Sequence, residues 1–399
     1  MRILLVSEPG VDGVFRHVEA LAGFLQRAGH EIHLVYSDVR GSERLKHFVR
    51  EITSNGGRVL NLGVNNAPGP RDIGALLRLR SFAASLCPDV IHAHSSKAGA
   101  LVRVLPFLGI RAPIFYTPHA YFGLAGGRGM KARVFNAIES LLGRIGTSFV
   151  LSRGEQEFAQ KTLGIPAARL RLNPNPVDTV RFHPAVPQEK AAFRARLGIP
   201  EGAKLLGSVG RLACQKDPIT LYQAFALALK QTPDLWLHHL GEGELSDDCA
   251  RLAATLGIQH RIIREPYLSE PLRFYQALDG LILTSRYEGL SLAVLEALAC
   301  DLPVILTEAP GNTDFLSLGL SHIWCAPKEN PVAIASAIEK WAADLAHHRP
   351  SNHRATAEQR FSQSVCHARI LAEYQRADST LDEETNAAPE AARELAARC

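Results

Sequence analysis

No stretch of the 399 residues approaches the roughly 18 uninterrupted apolar residues that a membrane-spanning helix requires. The chain also lacks a basic region followed by an apolar stretch and a small-residue cleavage site at its start. It runs straight into a strand-like segment, Arg2 to Val6, so the expectation is a soluble protein that stays in the cytoplasm. Paired cysteines are missing too. The seven present (Cys87, Cys214, Cys249, Cys300, Cys325, Cys366 and Cys399) are odd in number and widely spaced, with no C-x-x-C to suggest zinc or redox chemistry, and they read as reduced, mostly packing thiols. A complete G-x-G-x-x-G is absent, which disfavours a dinucleotide-dependent dehydrogenase.

What is present is ordinary globular composition, 46% hydrophobic and 21% charged, in a chain too long for one comfortable core. Two domains are the default. The net charge of +4 hides an asymmetry: residues 1–172 carry 22 Lys and Arg against 12 Asp and Glu, or +10, and the remainder 22 against 28, or −6. A basic half suits an anionic membrane surface, an anionic substrate or a nucleic acid. The basic residues are scattered without an aromatic stacking platform, which makes nucleic acid the least favoured of these.

Short apolar runs alternate with amphipathic stretches. Ile3 to Ser7, Ile32 to Ser37, Val59 to Val64, Val90 to His94, Ile114 to Thr117 and Phe149 to Ser152 read as strands of one domain. Leu205 to Val209, Leu235 to Leu240, Arg261 to Arg264, Gly280 to Thr284 and Val304 to Thr307 read as strands of a second. Continuous apolar strands separated by helices imply parallel sheets covered on both faces, the doubly wound α/β architecture. The Pro- and Asn-rich stretch Asn173-Pro-Asn-Pro-Val-Asp178 forbids helix and marks a crossing. The predicted organisation is therefore 1–172, a linker at 173–184, a second domain at 185–350, a helical segment at 351–377 returning towards the first domain, and a disordered or loosely helical tail at 378–399.

Ligands of such sheets bind at the carboxyl ends of the strands. Gly10-x-x-Gly13 follows the first strand and leads into a helix near Val14, where backbone NH groups can approach a phosphate, although on this motif alone a tight turn is the better account. Gly210-Arg211-Leu212 with Lys216 follows the first strand of the second domain, two cations suited to a diphosphate or to a plain solvated loop. The run Glu288-Gly289-Leu290-Ser291-Leu292-Ala293-Val294-Leu295-Glu296 is the most specific. Glu288 is read as closing a strand, Gly289, Leu290 and Ser291 as leading NH groups of a new helix, and Glu296 as lying two turns along it, about 12 Å away if the helix is regular. One carboxylate then suits sugar hydroxyls and the other ribose hydroxyls; a buried salt bridge is the alternative for Glu296. His119, in Tyr116-Thr-Pro-His119, ends another strand where an imidazole can bond a sugar hydroxyl. Among the 16 histidines, His92 is assigned to packing and His94 to the ligand-facing edge, with a metal pair the competing possibility.

These residues resemble glycosyltransferase family 4, the retaining group of GT-B fold, in which two Rossmann-like domains face a central cleft. Glu288 and Glu296 meet its E-x7-E signature, Arg211 and Lys216 its phosphate-binding pair, and Gly241-Glu-Gly243 its Gly-x-Gly turn. Asn175-Pro-Val-Asp178 stands where the family has N-G-V-D. Residues 88–99 and 116–119 look like members that build bacterial exopolysaccharide or lipopolysaccharide on a lipid carrier. The resemblance implies a retaining, metal-independent hexosyltransferase using a GDP- or UDP-sugar and a lipid-linked or oligosaccharide acceptor. Arg211, Lys216 and the NH groups after Glu288 would neutralise the departing diphosphate. Glu288 would hold the sugar, Glu296 the ribose and His119 the sugar from the opposite domain, with the acceptor entering over Gly13. No cofactor is implied, and the lack of a D-x-D agrees with a metal-independent site, Asp247 and Asp248 being adjacent on a helix-like stretch.

Leu101 to Leu108 and Met130 to Arg144 mix apolar and basic residues at helical spacing, which suits either an anionic inner-membrane face or the cover of a sheet. A nucleotide-sugar epimerase or a non-catalytic partner subunit of the same fold are the competing functions. Intact Glu288, Arg211, Lys216 and His119 disfavour the second.

Overall fold

The computed structural model describes residues 1–387 except 11, 66–67, 126–128, 269 and 348–349. It contains two compact units, one formed by Met1–Pro174 together with the chain from Gln363 onward, the other by Asn175–Ser362.

The first unit is a seven-stranded parallel sheet made of β1 (Arg2–Ser7), β2 (Glu31–Tyr36), β3 (Val59–Asn61), β4 (Val90–His94), β5 (Ile114–Thr117), β6 (Thr147–Val150) and β7 (Leu170–Leu172). The strand order is β3-β2-β1-β4-β5-β6-β7. Alternation along β1 explains its unbroken apolar run. Ile3 and Leu5 point into one core with Phe15, Leu21 and Leu25, while Leu4 and Val6 point into the other with Leu79, Val102 and Tyr116. The helix Gln363–Ala387 supplies Ile370 and Tyr374 to the first of these cores. That helix passes through Asp378 without a break, and residues 388–399 of the anticipated tail lie outside the described residues.

The second unit is a six-stranded parallel sheet of β8 (Lys204–Val209), β9 (Leu235–Leu240), β10 (Ile262–Glu265), β11 (Gly280–Leu283), β12 (Val304–Thr307) and β13 (Ile323–Ala326), in the order β10-β9-β8-β11-β12-β13. Both sheets are thus Rossmann-like, and in both the strand order reverses next to the first strand, between β1 and β4 and between β8 and β11. That reversal splays the following loops apart and leaves room for a ligand at the strands' carboxyl ends.

Three local readings need correction. β7 and β13 were not anticipated, since three and four residues give too little periodicity to separate a strand from a loop. The helical segment expected over 351–377 is interrupted at Ser362, which is extended (φ −60°, ψ 149°) and bridges Val177, while the Val177 NH bonds the Phe361 carbonyl at 2.7 Å. Arg103, in a stretch read as suiting either an anionic membrane face or the cover of a sheet, is fully buried and cannot serve the first: its guanidinium bonds Glu139 at 2.7 Å and lies 4.1 Å from the Tyr116 ring centre, and the Tyr116 hydroxyl donates to the same carboxylate at 2.9 Å.

Removing one member of such a pair strands a buried charge, at about 3–5 kcal/mol. Arg103→Ala is therefore expected to lower urea-unfolding stability by that amount, and the double variant Arg103→Met, Glu139→Leu by clearly less. Equal losses in the two would show that the charges are not coupled.

Candidate functional site

In the second unit, two loops from adjacent strands are tied into one structure. The loop after β8 begins at Gly210 (φ 151°), where a Cβ would sit 3.0 to 3.1 Å from the carbons of the Lys216 stem. The turn Gly241-Glu242-Gly243 after β9 packs directly on it: a Cβ at Gly241 would lie 2.3 Å from the Gly210 carbonyl oxygen, and one at Gly243 2.5 Å from that of Leu212. Only glycine allows this backbone approach. Opposite stands the loop after β11, held by Thr284 Oγ1 donating to the Lys216 and Asp217 carbonyls, by the Arg286 NH on the Gln215 carbonyl, and by Gln215 Nε2 on that of Tyr287.

Across this junction Lys216 Nζ meets Glu288 Oε1 at 2.5 Å, and Ser285 Oγ donates to the same oxygen at 2.6 Å. Glu288 is only 6% exposed, so the ammonium and the hydroxyl supply the compensation that a nearly buried carboxylate needs. Arg211 is exposed on the same loop as Lys216. Gly311 (φ 83°) lets a neighbouring loop approach, because a Cβ there would strike the carbonyl oxygens of Glu288 at 2.5 Å and Gly289 at 2.7 Å.

The geometry of the Glu288–Glu296 run departs from expectation. β11 ends at Leu283, so Glu288 lies in the loop beyond it rather than closing the strand. The helix starts only at Leu292 with Ser291 as its N-cap, and Gly289 and Leu290 precede it. Glu296 is then four residues into the helix, about 6 Å of axial rise, and the 12 Å estimate for a regular helix does not apply. Glu296 is 3% exposed and accepts a 2.6 Å hydrogen bond from the Tyr275 hydroxyl, while Asn175 Nδ2 fixes the Leu290 carbonyl at 2.8 Å. Ser285 and Tyr275 were missed from sequence, whereas Asn175 was noted as the first residue of the Asn175-Pro-Val-Asp178 stretch without a contact being assigned to it. Ser285, two residues beyond β11 and three before Glu288, carried a readable signal; Tyr275 did not.

In the first unit, Gly13 falls in the first turn of the helix Asp12–Arg27, which starts two residues earlier than expected. Gly10 is a packing glycine: a Cβ there would lie 2.4 Å from Leu45 Cδ2. One turn beyond Gly13, His17 projects to meet His94 from the end of β4 and His119 from the loop after β5, with ring centres 5.5 Å (His17–His94), 4.9 Å (His17–His119) and 5.4 Å (His94–His119) apart. His367, from the helix Gln363–Ala387, adds a fourth ring 5.9 Å from His17. His92 behind them is structural, with Nδ1 on the Tyr374 hydroxyl at 2.5 Å and Nε2 on Thr117 Oγ1 at 2.8 Å.

His119 (φ 58°) and Ala120 (φ 97°) are consecutive non-glycine residues in left-handed conformations. Glu155 holds them: its carboxylate accepts from the Ala120 NH at 2.9 Å and the Leu151 NH at 2.6 Å, and burial pushes its pKa up to about 7 against those bonds. Burial, reinforced by neighbouring imidazoles, pushes His92, His94, His119 and His367 well below the usual value of 6.5.

A buried histidine of depressed pKa contributes stability that is present above 6.5 and lost as the pH falls below it, because the unfolded chain then binds the proton more readily. Glu155 acts in the opposite sense between 4.5 and about 7. Four imidazoles outweigh one carboxyl, each group contributing at most about 1.4 kcal/mol per pH unit. Denaturant unfolding stability is thus expected to fall steadily from about pH 7 to about pH 5; a flat profile would show that these rings are solvated.

Residues 12–176 match the family described as Glycosyl transferase 4-like domain, and residues 189–360 match Glycosyl transferases group 1. The chain is 27% identical over 247 residues to a UDP-Gal:alpha-D-GlcNAc-diphosphoundecaprenol alpha-1,3-galactosyltransferase of Escherichia coli, covering 61% of this chain and 63% of that protein. It is 30% identical over 154 residues to the lipopolysaccharide core biosynthesis glycosyltransferase LpsE of Rhizobium meliloti, covering 39% of this chain and 44% of that protein. The matched regions therefore span less than two thirds of these relatives' lengths. HepE of Anabaena, solved in complex with UDP, superposes with a TM-score of 0.77 at 18% identity over 94% of this chain and 100% of that one, a likeness of fold. The chain thus consists of a glycosyl transferase 4-like domain followed by a glycosyl transferases group 1 domain, each on a Rossmann-like parallel sheet as in GT-B glycosyltransferases.

Proposed function

We propose that this chain is a retaining hexosyltransferase that takes its sugar from a UDP- or GDP-sugar and passes it to a lipid-linked or oligosaccharide acceptor in bacterial surface polysaccharide synthesis. The observation that carries this reading is the Lys216–Glu288 pair at the junction of the loops after β8 and β11, with Arg211 exposed beside it. A diphosphate offers Lys216 a stronger anionic partner than one carboxylate does. Its arrival draws the ammonium away and leaves Glu288, still bonded by Ser285, to accept sugar hydroxyls. Arg211 and the backbone of Gly289, Leu290 and Ser291, ahead of the helix N-terminus, complement the phosphate charge. Glu296 takes ribose hydroxyls, His119 takes a sugar hydroxyl, and the backbone around Gly13 lies on the acceptor side.

In the transfer, the bond from the anomeric carbon to the phosphate oxygen breaks and a bond to the acceptor oxygen forms on the same face. The acceptor proton passes to the departing phosphate, so a nucleoside diphosphate leaves. Arg211 and Lys216 stabilise the charge growing on that phosphate, the task a metal performs elsewhere, and no metal cofactor is assigned. HepE has been solved with UDP and with UDP-glucose, and the Escherichia coli relative is named for UDP-Gal, which favours a uridine donor.

No helix among the described residues is long and apolar enough to cross a membrane. The helix Met130–Leu142 nevertheless exposes Met130 (73%), Val134 and Leu141 (77%) along one face, and Phe107 (73%), Arg111, Arg133 and Arg144 are also exposed in this unit. We assign this surface to peripheral contact with an anionic membrane, where a lipid-linked acceptor resides.

UDP at about 100 times its dissociation constant is expected to add about 2.7 kcal/mol to the folded state, with GDP and ADP adding less and Arg211→Ala abolishing the shift. No shift with any nucleotide would favour a non-catalytic subunit, and sugar isomerisation without acceptor would favour an epimerase. In co-sedimentation with anionic vesicles at low salt, the wild type is expected in the pellet and the double variant Met130→Asp, Leu141→Asp in the supernatant; equal partition would remove the membrane assignment.

A further inference from the structure

We propose that His17, His94 and His119 form a binding site for one transition-metal ion of the zinc type, and that filling it inhibits the enzyme. One ring nitrogen of each residue lies within 4.8 Å of those of the other two. Three nitrogens bound to one tetrahedral zinc at about 2.0–2.1 Å stand about 3.3 Å apart. His94 Nδ1 and His119 Nε2 are already at 3.2 Å, and small side-chain rotations bring in His17.

The cluster is not accounted for by packing alone. His92, on the same strand as His94, has both ring nitrogens committed to hydroxyl partners. His94, fully buried, faces another imidazole through one nitrogen and has no hydrogen-bond partner for the other among the described residues. The three ligands come from three places, a helix turn, a strand end and a strained loop, and those places are adjacent because β1, β4 and β5 are neighbours in the sheet.

The donor set selects the metal. Three neutral imidazoles suit Zn²⁺, Co²⁺, Ni²⁺ or Cu²⁺ and not Mg²⁺, and three protein ligands leave a position for water or an anion. The inhibitory part rests on the proposed role of His119: an Nε2 bound to metal is withdrawn from a sugar hydroxyl.

The test is titration of the chelator-treated full-length protein with Co²⁺, followed by displacement with Zn²⁺. The expected result is one cobalt per chain with the visible ligand-field bands of four-coordinate geometry, lost on adding zinc. His17→Ala and His94→Ala are each expected to weaken binding at least about tenfold, and His260→Ala, an exposed position in the other unit, to leave it unchanged. Circular dichroism checks that the variants fold, and His17→Gln replaces an unfolded one. Absence of the bands, or binding that survives both substitutions, overturns the site. Zinc is also expected to suppress nucleotide-sugar turnover at least about tenfold in the wild type, with the suppression relieved in His17→Ala; bound zinc without suppression overturns the inhibition. The cobalt spectrum needs no turnover, so a protein without transferase activity would refute the proposed function and leave the metal site to be decided on its own.

Discussion

The ion pair between Lys216 and Glu288 is the constraint around which the second unit's site is arranged. A carboxylate as buried as Glu288 cannot keep its charge in that position without a partner, and Lys216 reaches it only because Gly210 leaves room for its stem. Gly210 in turn sits where the Gly241 turn can press on its backbone. The geometry is therefore transmitted from backbone to cation to carboxylate through contacts that any Cβ would disturb. Such a pair also suits exchange. The loops are held together by separate backbone bonds from Thr284, Arg286 and Gln215, so the ammonium can change partner without the junction coming apart.

The first unit solves a different problem. Its carboxyl edge gathers imidazoles that burial keeps uncharged, although the sequence up to residue 172 carries a net charge of +10. That charge lies elsewhere: Arg103 is neutralised inside the core by Glu139, Arg40 pairs with Glu8, and Arg111, Arg133 and Arg144 are at the surface. Overall charge is thus a poor guide to the polarity of this site, which offers neutral donors and acceptors of the kind that hydroxyl groups or a soft cation can use.

Much of the architecture was legible because a strand buried on both faces is largely apolar, and β1, β5, β8, β11 and β12 all show such runs. The loops after β5, β8 and β11 therefore singled out His119, Arg211, Lys216 and Glu288 as candidates. Spacing within the Glu288–Glu296 run misled because a helix start cannot be located to a residue from an apolar run: with Ser291 as the cap, half of the interval is loop. His17 was invisible for a related reason. A histidine one turn into an amphipathic helix looks like any interfacial residue, and only the adjacency of β1, β4 and β5 brings it to His94 and His119. Tyr275 is reached through tertiary packing that no local pattern encodes.

Glu155 links the backbone of the first site to its chemistry. Two successive left-handed residues cost of order 1–3 kcal/mol each when no glycine is present, so the His119–Ala120 bend persists only because something holds it. The carboxylate does so through the NH groups of Ala120 and Leu151, and those bonds favour its ionised form. Burial favours the neutral form and outweighs those bonds, so the group titrates at about 7. The strength of the clamp on the bend therefore changes with the charge of a side chain that touches no ligand. Ionised, Glu155 grips the Ala120 NH more strongly at a greater desolvation cost; neutral, it grips less and sits more comfortably. The direction in which His119 is aimed and the protonation of Glu155 are consequently one coupled equilibrium, and any ligand that needs the bend in its present form draws Glu155 towards its carboxylate state.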